Sequence, residues 1–209
     1  MAFILGPKEK KNRAVGEYLQ LKAERSLSQK SAMIRKPYRP GMHGKRRRMM
    51  SEYALQLAEK QKIRLTYGLS ERRMKRYASD ATRNKIISKT DCLVRGLESR
   101  LDNTVFRAGF APSRSIARQL VSHGHILVNN KRVTISSYAM RRGDIITVSG
   151  QARKTKAFSE SLETIKKHIP PAWIKTDPDA LRAEVVGVPT LEQSGINFNI
   201  PLILEFYSR

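Results

Sequence analysis

The sequence predicts an α+β fold: a helical N-terminal domain, an inserted helix–helix–hairpin module, a small C-terminal α/β segment that packs back on the helical domain, and a basic N-terminal extension. Three observations predict it. Apolar residues recur at helical spacing between residues 51 and 121. Short β-branched runs at 126–128, 133–135 and 145–148 are separated by turn residues. A chain of 209 residues that is 40% hydrophobic can bury one or two cores. The boundaries follow: 1–50 is a basic arm and loop, 51–93 a helical domain completed by 150–209, 94–149 the inserted module, and 150–209 a helix with short strands.

Residues 1–50 are dense in Lys, Arg, Ser and Gly, and their apolar positions are too sparse for a core-facing helix, with Tyr18, Leu19 and Leu21 the candidates for a short one. Much of this arm should need a partner to become ordered. Pro37-Tyr38-Arg39-Pro40-Gly41-Met42-His43-Gly44 is a turn-forming segment followed at once by Lys45-Arg46-Arg47-Arg48, a run that by itself also reads as a solvated basic loop. Ser51 can cap a helix in which Ala54, Leu57, Ala58 and Leu65 share a face, and Gly68 ends it. Ser70 can cap the next, with Met74, Tyr77, Ala78 and Ala81 inward and Arg72, Arg73, Arg76 and Arg83 on its other faces. The Met and Tyr stripe reads as core, and the arginines can present guanidinium groups to phosphates.

A third helix starts near Thr90 and Asp91, carries Val94, Leu97, Leu101, Val105 and Ala108 on one stripe, and stops at Gly109. Ser113 caps a short helix with Ile116, Ala117, Leu120 and Val121 facing inward, ending at Gly124. Ile126–Val128 and Val133–Ile135 form a hairpin through Asn129-Asn130, a pair that tolerates the positive φ of a type I′ turn. Arg141-Arg142-Gly143-Asp144 then turns into a strand at Ile145–Val148. Beyond Gly150 a helix runs to about His168 and breaks at Pro170-Pro171, with strand candidates at Trp173–Lys175, Glu184–Val186 and Leu202–Tyr207. Trp173 reads as a packing anchor, because its surroundings carry little net charge.

Charge narrows the function. Lys and Arg number 41 against 18 Asp and Glu, a formal net charge of +23. The excess is 11 in residues 1–50, 6 in 51–100, 5 in 101–150 and 1 in 151–209. Such a surface repels itself unless an anion lies against it, and nucleic acid is the commonest anionic partner of a soluble basic protein. Anion contact therefore belongs to the first three-quarters, leaving the near-neutral last quarter for protein contacts. A membrane surface would want a basic amphipathic helix with exposed Trp, Phe or Leu, whereas the apolar stripes here are committed to cores. Cations and neutral polar groups gather most densely in the module: Arg100 and Arg107 seven apart on one helix, Arg114 and Arg118 four apart on the next, then His123, His125, Asn129, Lys131 and Arg132. Surface salt bridging is the rival reading, but only Asp102 and Asp144 are acidic between 101 and 150.

The residues themselves carry a resemblance. Leu97-Glu98-Ser99-Arg100-Leu101-Asp102-Asn103, Arg107, Gly109-Phe110-Ala111, Ser113-Arg114, Ala117-Arg118-Gln119-Leu120-Val121-Ser122-His123-Gly124-His125-Ile126, Val128-Asn129, Ser137-Tyr138 and Gly143-Asp144 closely resemble the αL-like RNA-binding module of the family of small-subunit ribosomal protein number four. Matches to the same family continue outside it, at Pro37-Tyr38, Pro40-Gly41, His43-Gly44, Ser51-Glu52-Tyr53, Gln56-Leu57, Glu59–Lys62, Tyr67-Gly68, Glu71-Arg72, Tyr77 and Leu204–Arg209, where the family has a closing strand. Residues 1–36 match weakly, mainly at Gly6-Pro7-Lys8, and contain no Cys, so the zinc cluster of some members is not carried over.

The resemblance implies a structural constituent of the small subunit that binds the 5′ domain of its rRNA and nucleates assembly. It implies Arg100, Arg107, Ser113, Arg114, Arg118, Gln119, His123, His125, Asn129, Lys131 and Arg132 as RNA-binding residues of the module, joined by Tyr38, His43, Arg64, Arg72, Arg73 and Arg76. Lys45, Arg46, Arg47 and Arg48 are candidates for incoming mRNA, although rRNA would satisfy the same loop. The C-terminal region resembles the part that meets small-subunit protein number five, an interface linked to decoding accuracy. No homo-oligomer, membrane contact, cofactor or metal is implied.

An enzyme is the first rival, since the module is also appended to pseudouridine synthases and some aminoacyl-tRNA synthetases. Only 59 residues follow Gly150, and no phosphate-loop, G-x-S-x-G or H-E-x-x-H signature is present. A free-standing RNA-binding factor, acting in ribosome rescue or on mRNA, is the second, and the matches outside the module count against it. With the single Cys92, read as a small apolar residue within a helix, no intramolecular disulfide or multi-cysteine zinc site can form. No apolar run approaches the roughly 20 residues that span a bilayer, so a cytoplasmic, reducing compartment is expected.

Overall fold

The structure, a computed structural model, describes residues 6–19, 21, 28–46, 49–153 and 168–208. The chain divides into two compact units, Met1–Thr90 with Asn197–Arg209, and Asp91–Ile196.

In the first unit, α1 (Lys8–Val15) starts after Pro7 and ends at Gly16, whose φ of 82° lets its N–H return to the Asn12 carbonyl. The short helix expected around Tyr18, Leu19 and Leu21 is therefore displaced: Leu19 and Leu21 are buried, but outside it. The sequence hid α1 because polar ties hold it in place of an apolar stripe. Glu9 Oε2 accepts from the Ala32 N–H that opens α2 (Ala32–Arg35), at 3.0 Å, and Arg13 Nε donates to the carbonyls of Lys36 and Tyr38.

Helices α3 (Glu52–Thr66) and α4 (Glu71–Arg83) have the expected caps, Ser51 Oγ accepting from Ala54 N–H and Ser70 Oγ from Arg73 N–H. On α4 Met74, Ala78 and Ala81 are buried and Tyr77 half-buried, while Arg72, Arg73, Arg76 and Arg83 are exposed. The buried line of α3 differs from the expected one. Ala54, Leu57, Ala58 and Leu65 are only partly covered, and Gln56, Lys60 and Ile63 go inside. Lys60 can occupy a core position because its ammonium bonds Glu71 Oε1 at 3.0 Å and lies 4.4 Å from the Phe206 ring centroid.

Phe206 belongs to the last element, which corrects a second expectation. Residues Ile200–Ser208 form a helix where a closing strand was expected over Leu202–Tyr207. A short continuous apolar run does not reveal its period; the surroundings select the helix. Asn199 Oδ1 caps the Leu202 N–H, Ile200 and Ile203 are buried, and Tyr207 donates its hydroxyl to Glu71 Oε1 at 2.7 Å.

The second unit begins with α5 (Lys89–Glu98) and α6 (Leu101–Arg107), where one continuous helix was expected. Arg100 is extended and forms an isolated bridge with Ala139. The Leu101 N–H bonds the Tyr138 carbonyl and the Met140 N–H bonds the Ser99 carbonyl, so the break exchanges helical hydrogen bonds for cross-chain ones. The stripe Val94, Leu97, Leu101, Val105 and Ala108 is nevertheless wholly buried. Ser113 caps α7 (Arg114–Ser122), which buries Ala117 and Val121 but leaves Ile116 41% exposed, contrary to its inward assignment.

Asn129 and Asn130 have φ of 49° and 64°, the double positive φ expected of the hairpin turn. With only two residues in the turn, the return strand must start at once, so it is Lys131–Arg132 and not Val133–Ile135. Strands β1 (Ile126–Val128), β2 (Lys131–Arg132), β3 (Ile145–Val148), β4 (Ile174–Asp177) and β5 (Arg182–Val185) make one antiparallel sheet in the order β2-β1-β3-β5-β4. Strands β4 and β5 thus extend the sheet of the module, and only residues 197–209 join the helical unit. Trp173 is buried in the core shared by Leu101, Ile126, Ile146 and Val185. The expected helix after Gly150 is seen as α8 (Gly150–Arg153), and residues 154–167 lie outside those described.

Gly109 closes α6 with φ of 81°, and a Cβ there would meet the His168 ring at 2.7 Å; Gly143 has φ of 89° with open space around it. Both Gly109→Ala and Gly143→Ala should lose stability on the roughly 1–3 kcal/mol scale of a strained backbone, and Gly109→Ala should lose more. Chemical denaturation of the two variants checks the order.

Candidate nucleic-acid interface

The four arginines expected to converge do so, but inward. Asp102, at the start of α6, accepts from Arg100 Nε at 3.0 Å and Nη2 at 2.8 Å, and from Arg118 Nε at 2.8 Å. Glu98, the last residue of α5, accepts from Arg107 Nε at 3.0 Å and Nη2 at 2.9 Å, and from Asn103 Nδ2 at 2.8 Å. Asn103 Oδ1 in turn accepts from Arg114 Nε at 2.8 Å, and the Arg114 guanidinium lies 4.4 Å from the Phe106 ring centroid. Arg107 also donates to the Ser194 carbonyl.

This corrects the picture of a cationic surface built from all four. Arg100 is 1% exposed and Arg118 8% exposed. Arg107 and Arg114 are half-buried. Counting carboxylates between 101 and 150 misjudged the rival salt-bridge reading for two reasons. Glu98 lies just outside that window, and one buried carboxylate can receive two guanidinium groups. Ser113 is likewise buried as the cap of α7.

The outer surface of this unit is made by other residues. Gln119, His123, Lys131 and Arg132 are exposed and His125 is half-buried. The two imidazoles stand edge to face at 5.8 Å, and Arg132 Nη2 donates to the His123 carbonyl at 2.9 Å. A Cβ on Gly124 would collide with the Arg132 guanidinium, so the bare glycine is what seats it. Asn129 is a positioning residue: its amide donates to Asp144 Oδ1 and accepts from the Ile145 N–H, each at 2.9 Å. That pair places the Arg141–Asp144 turn beside the hairpin tip, which adds exposed Arg141 and Arg142 to the surface. Sequence reasoning treated the two arginines only as a turn, although an Arg-Arg pair facing a single Asp was a readable signal.

In the first unit Arg72, Arg73 and Arg76 stand exposed on α4, Arg76 3.8 Å from Asp80. Arg64 is partly covered, bonded to Gln61 Oε1 and 3.8 Å from Glu71. Tyr38 is half-buried with the Arg13 guanidinium 5.1 Å and the Lys45 ammonium 5.3 Å from its ring centroid. His43, Lys45 and Arg46 are exposed, while Arg47 and Arg48 lie outside the described residues.

Two ionisable groups tie the last helix to α4. Burial, then the neighbouring Glu71 carboxylate, pushes the Tyr207 phenol far above its ordinary value. Burial also pushes Glu71 upward, but the Tyr207 hydroxyl and the Lys60 ammonium outweigh it and hold the carboxyl below its ordinary range. A lowered carboxyl contributes stability above its unfolded value that is lost as pH falls; a raised phenol contributes stability below its unfolded value that is lost as pH rises. Docking of the last helix should therefore be strongest between about pH 4.3 and 10, the unfolded values of the two groups. Amide exchange of residues 200–208 across pH checks this, and Tyr207→Phe should remove the alkaline loss and lessen the acid one, because its hydroxyl helps hold the Glu71 carboxyl down. Separately, Asp102→Ala should cost about 3–5 kcal/mol by stranding two buried guanidinium groups, which urea unfolding measures.

Similarity to known proteins extends along the whole chain. Residues 4–98 match the model described as the Ribosomal protein S4/S9 N-terminal domain, and residues 99–146 match the S4 domain. The division falls at the Ser99–Arg100 break between α5 and α6. The chain is 43% identical over 211 residues to the small ribosomal subunit protein uS4 of Thermus thermophilus, and 40% identical over 209 residues to that of Kosmotoga olearia. It is also 43% identical over 209 residues to the uS4 of Halothermothrix orenii, and each alignment covers 100% of both chains. With both family models matched in sequence along the chain and such identity end to end, the chain belongs to the uS4 family of small ribosomal subunit proteins, which are structural and not enzymes.

Proposed function

We propose that the protein is a primary binder of small-subunit rRNA, gripping the 5′ domain through separate cationic faces on its two units and helping to nucleate subunit assembly. The observation that carries this reading is the sorting of cations by burial. Arg100, Arg107 and Arg118 inside the module are matched to carboxylates and Arg114 to the Asn103 amide, whereas Arg72, Arg73, Lys131, Arg132, Arg141 and Arg142 project outward. Outward cations on a rigid frame neutralise phosphates and release counterions, and the neutral groups beside them, Gln119, His123 and His125, suit ribose and unpaired base edges.

The same reading assigns Lys45 and Arg46, with Arg47 and Arg48 beside them in sequence, to the region where mRNA meets the subunit. It assigns the near-neutral residues 151–209 to contact with small-subunit protein number five and through it to decoding accuracy. Its place of action is the cytoplasmic ribosome. A free-standing RNA-binding factor is the second reading; full-length identity to ribosomal relatives disfavours it.

Filter binding to a transcript of the small-subunit 5′ domain tests the proposal. Log affinity should fall linearly with log salt, with a slope of about −0.7 to −0.9 per phosphate contacted. Replacing Arg72, Arg73 and Arg76 together by Ala should reduce the slope by about two to three units, because each removes one exposed cation without touching a core. A flat salt response, or a triple variant indistinguishable from wild type, would overturn the assignment of that face. Co-migration of a tagged copy with small subunits on sucrose gradients separates a ribosomal constituent from a free factor.

A further inference from the structure

The loop after α2 is not a loose tail. Gly44 N–H bonds the Gly41 carbonyl at 3.2 Å and Arg46 N–H bonds the His43 carbonyl at 3.1 Å. A Cβ on Gly44 would overlap the Arg39 carbonyl, so the loop closes on itself at that glycine. The closure leaves a cavity of about 440 Å³ lined chiefly by Arg13, Met33, Tyr38, Arg39, Gly44 and Arg46. Arg13 is pinned there through its Nε, which donates to the carbonyls of Lys36 and Tyr38 at 2.9 and 3.0 Å.

Its chemistry selects an anion with a flat apolar part. No Asp or Glu occurs between Arg25 and Ser51. The nearest carboxylates of α1 and its C-terminal turn are engaged elsewhere, Glu9 with the Ala32 N–H and Glu17 with Lys62. Three arginines therefore surround a hollow walled by a tyrosine ring and a methionine. The volume lies in the roughly 300–1,000 Å³ range of small-molecule sites, which suits a nucleotide. Bases leave the stack to lie against aromatic rings and guanidinium planes.

We infer that this cavity receives one unpaired nucleotide of an RNA strand, its base against Met33 and beside the Tyr38 ring, which Arg13 and Lys45 also approach, and its phosphate on Arg39 and Arg46. The inference rests on the RNA-binding reading above and adds the mode, an extruded nucleotide in place of a paired backbone.

The test uses the full chain and a short single-stranded RNA carrying one fluorescent adenine analogue. Binding should quench the analogue, and AMP should compete where inorganic phosphate at the same concentration does not. Tyr38→Leu and Arg46→Gln should each weaken single-strand binding about tenfold, near the low end of base–aromatic stacking, while Tyr38→Phe retains the quench. Tyr38→Leu should weaken single-strand binding more than binding to a plain RNA duplex, whereas loss of general phosphate attraction would lower both alike. Circular dichroism confirms that the variants fold, and exposed Arg46 keeps the test alive should Tyr38→Leu not fold. Equal competition by phosphate, or quenching unaltered in Arg46→Gln, overturns the inference while leaving the RNA-binding reading intact if the rRNA transcript still binds. Failure to bind either transcript or oligomer overturns both.

Discussion

Two buried carboxylates organise the module. Glu98 and Asp102 sit on either side of the break between α5 and α6, and between them they engage Arg100, Arg107, Arg118 and, through Asn103, Arg114. Guanidinium groups withdrawn from water are costly unless their donors find acceptors in good geometry. The bidentate pairs meet that condition, and in meeting it they fix the angle between α6 and α7. Everything on the outer face inherits that angle: Gln119 and His123 from α7, Arg132 through its bond to the His123 carbonyl, and the Arg141–Asp144 turn through Asn129.

The helical unit uses a smaller version of the same device. Lys60 enters the core because Glu71 and Phe206 receive it, and the same Glu71 carboxylate accepts the Tyr207 hydroxyl. One acidic residue thus holds a buried cation and anchors the last helix. The outward arginines of α4 begin one residue later, at Arg72. Arg100, Arg107 and Arg118 in one unit and Lys60 in the other point at carboxylates, while the exposed cations point at solvent. A formal charge of +23 counts the two populations together; burial separates them, and only the second is available to neutralise phosphate.

Local signals in the chain were read well where the decisive interaction lies within a few residues. Ser51, Ser70 and Ser113 cap their helices, Gly68 and Gly109 end them with positive φ, and Asn129-Asn130 makes the turn, because each requirement is satisfied by the residue and its immediate neighbours. Trp173 as an anchor and the exposed arginines of α4 were equally legible. The misreadings share a physical cause. Arg100 and Arg107, seven apart, looked like one helical face, yet the helix breaks between them so that Ser99 and Leu101 can bond the 138–140 segment, far along the chain. The run Leu202–Tyr207 looked like a strand until Ile200, Ile203 and Tyr207 met α3 and α4.

By itself, then, the sequence determined the class of element at most positions, the cationic character of the first three-quarters and the family to which the chain belongs, since these are properties of residue type and short-range spacing. Tertiary structure alone decided which arginines face inward, that β4 and β5 extend the sheet of the module, and that the loop closed by Gly44 borders an open hollow. The reason is that an arginine carries the same charge and the same helical propensity wherever it stands. Whether it binds a carboxylate or a phosphate depends on what the fold brings within about 3 Å of its nitrogens, the hydrogen-bonding distance.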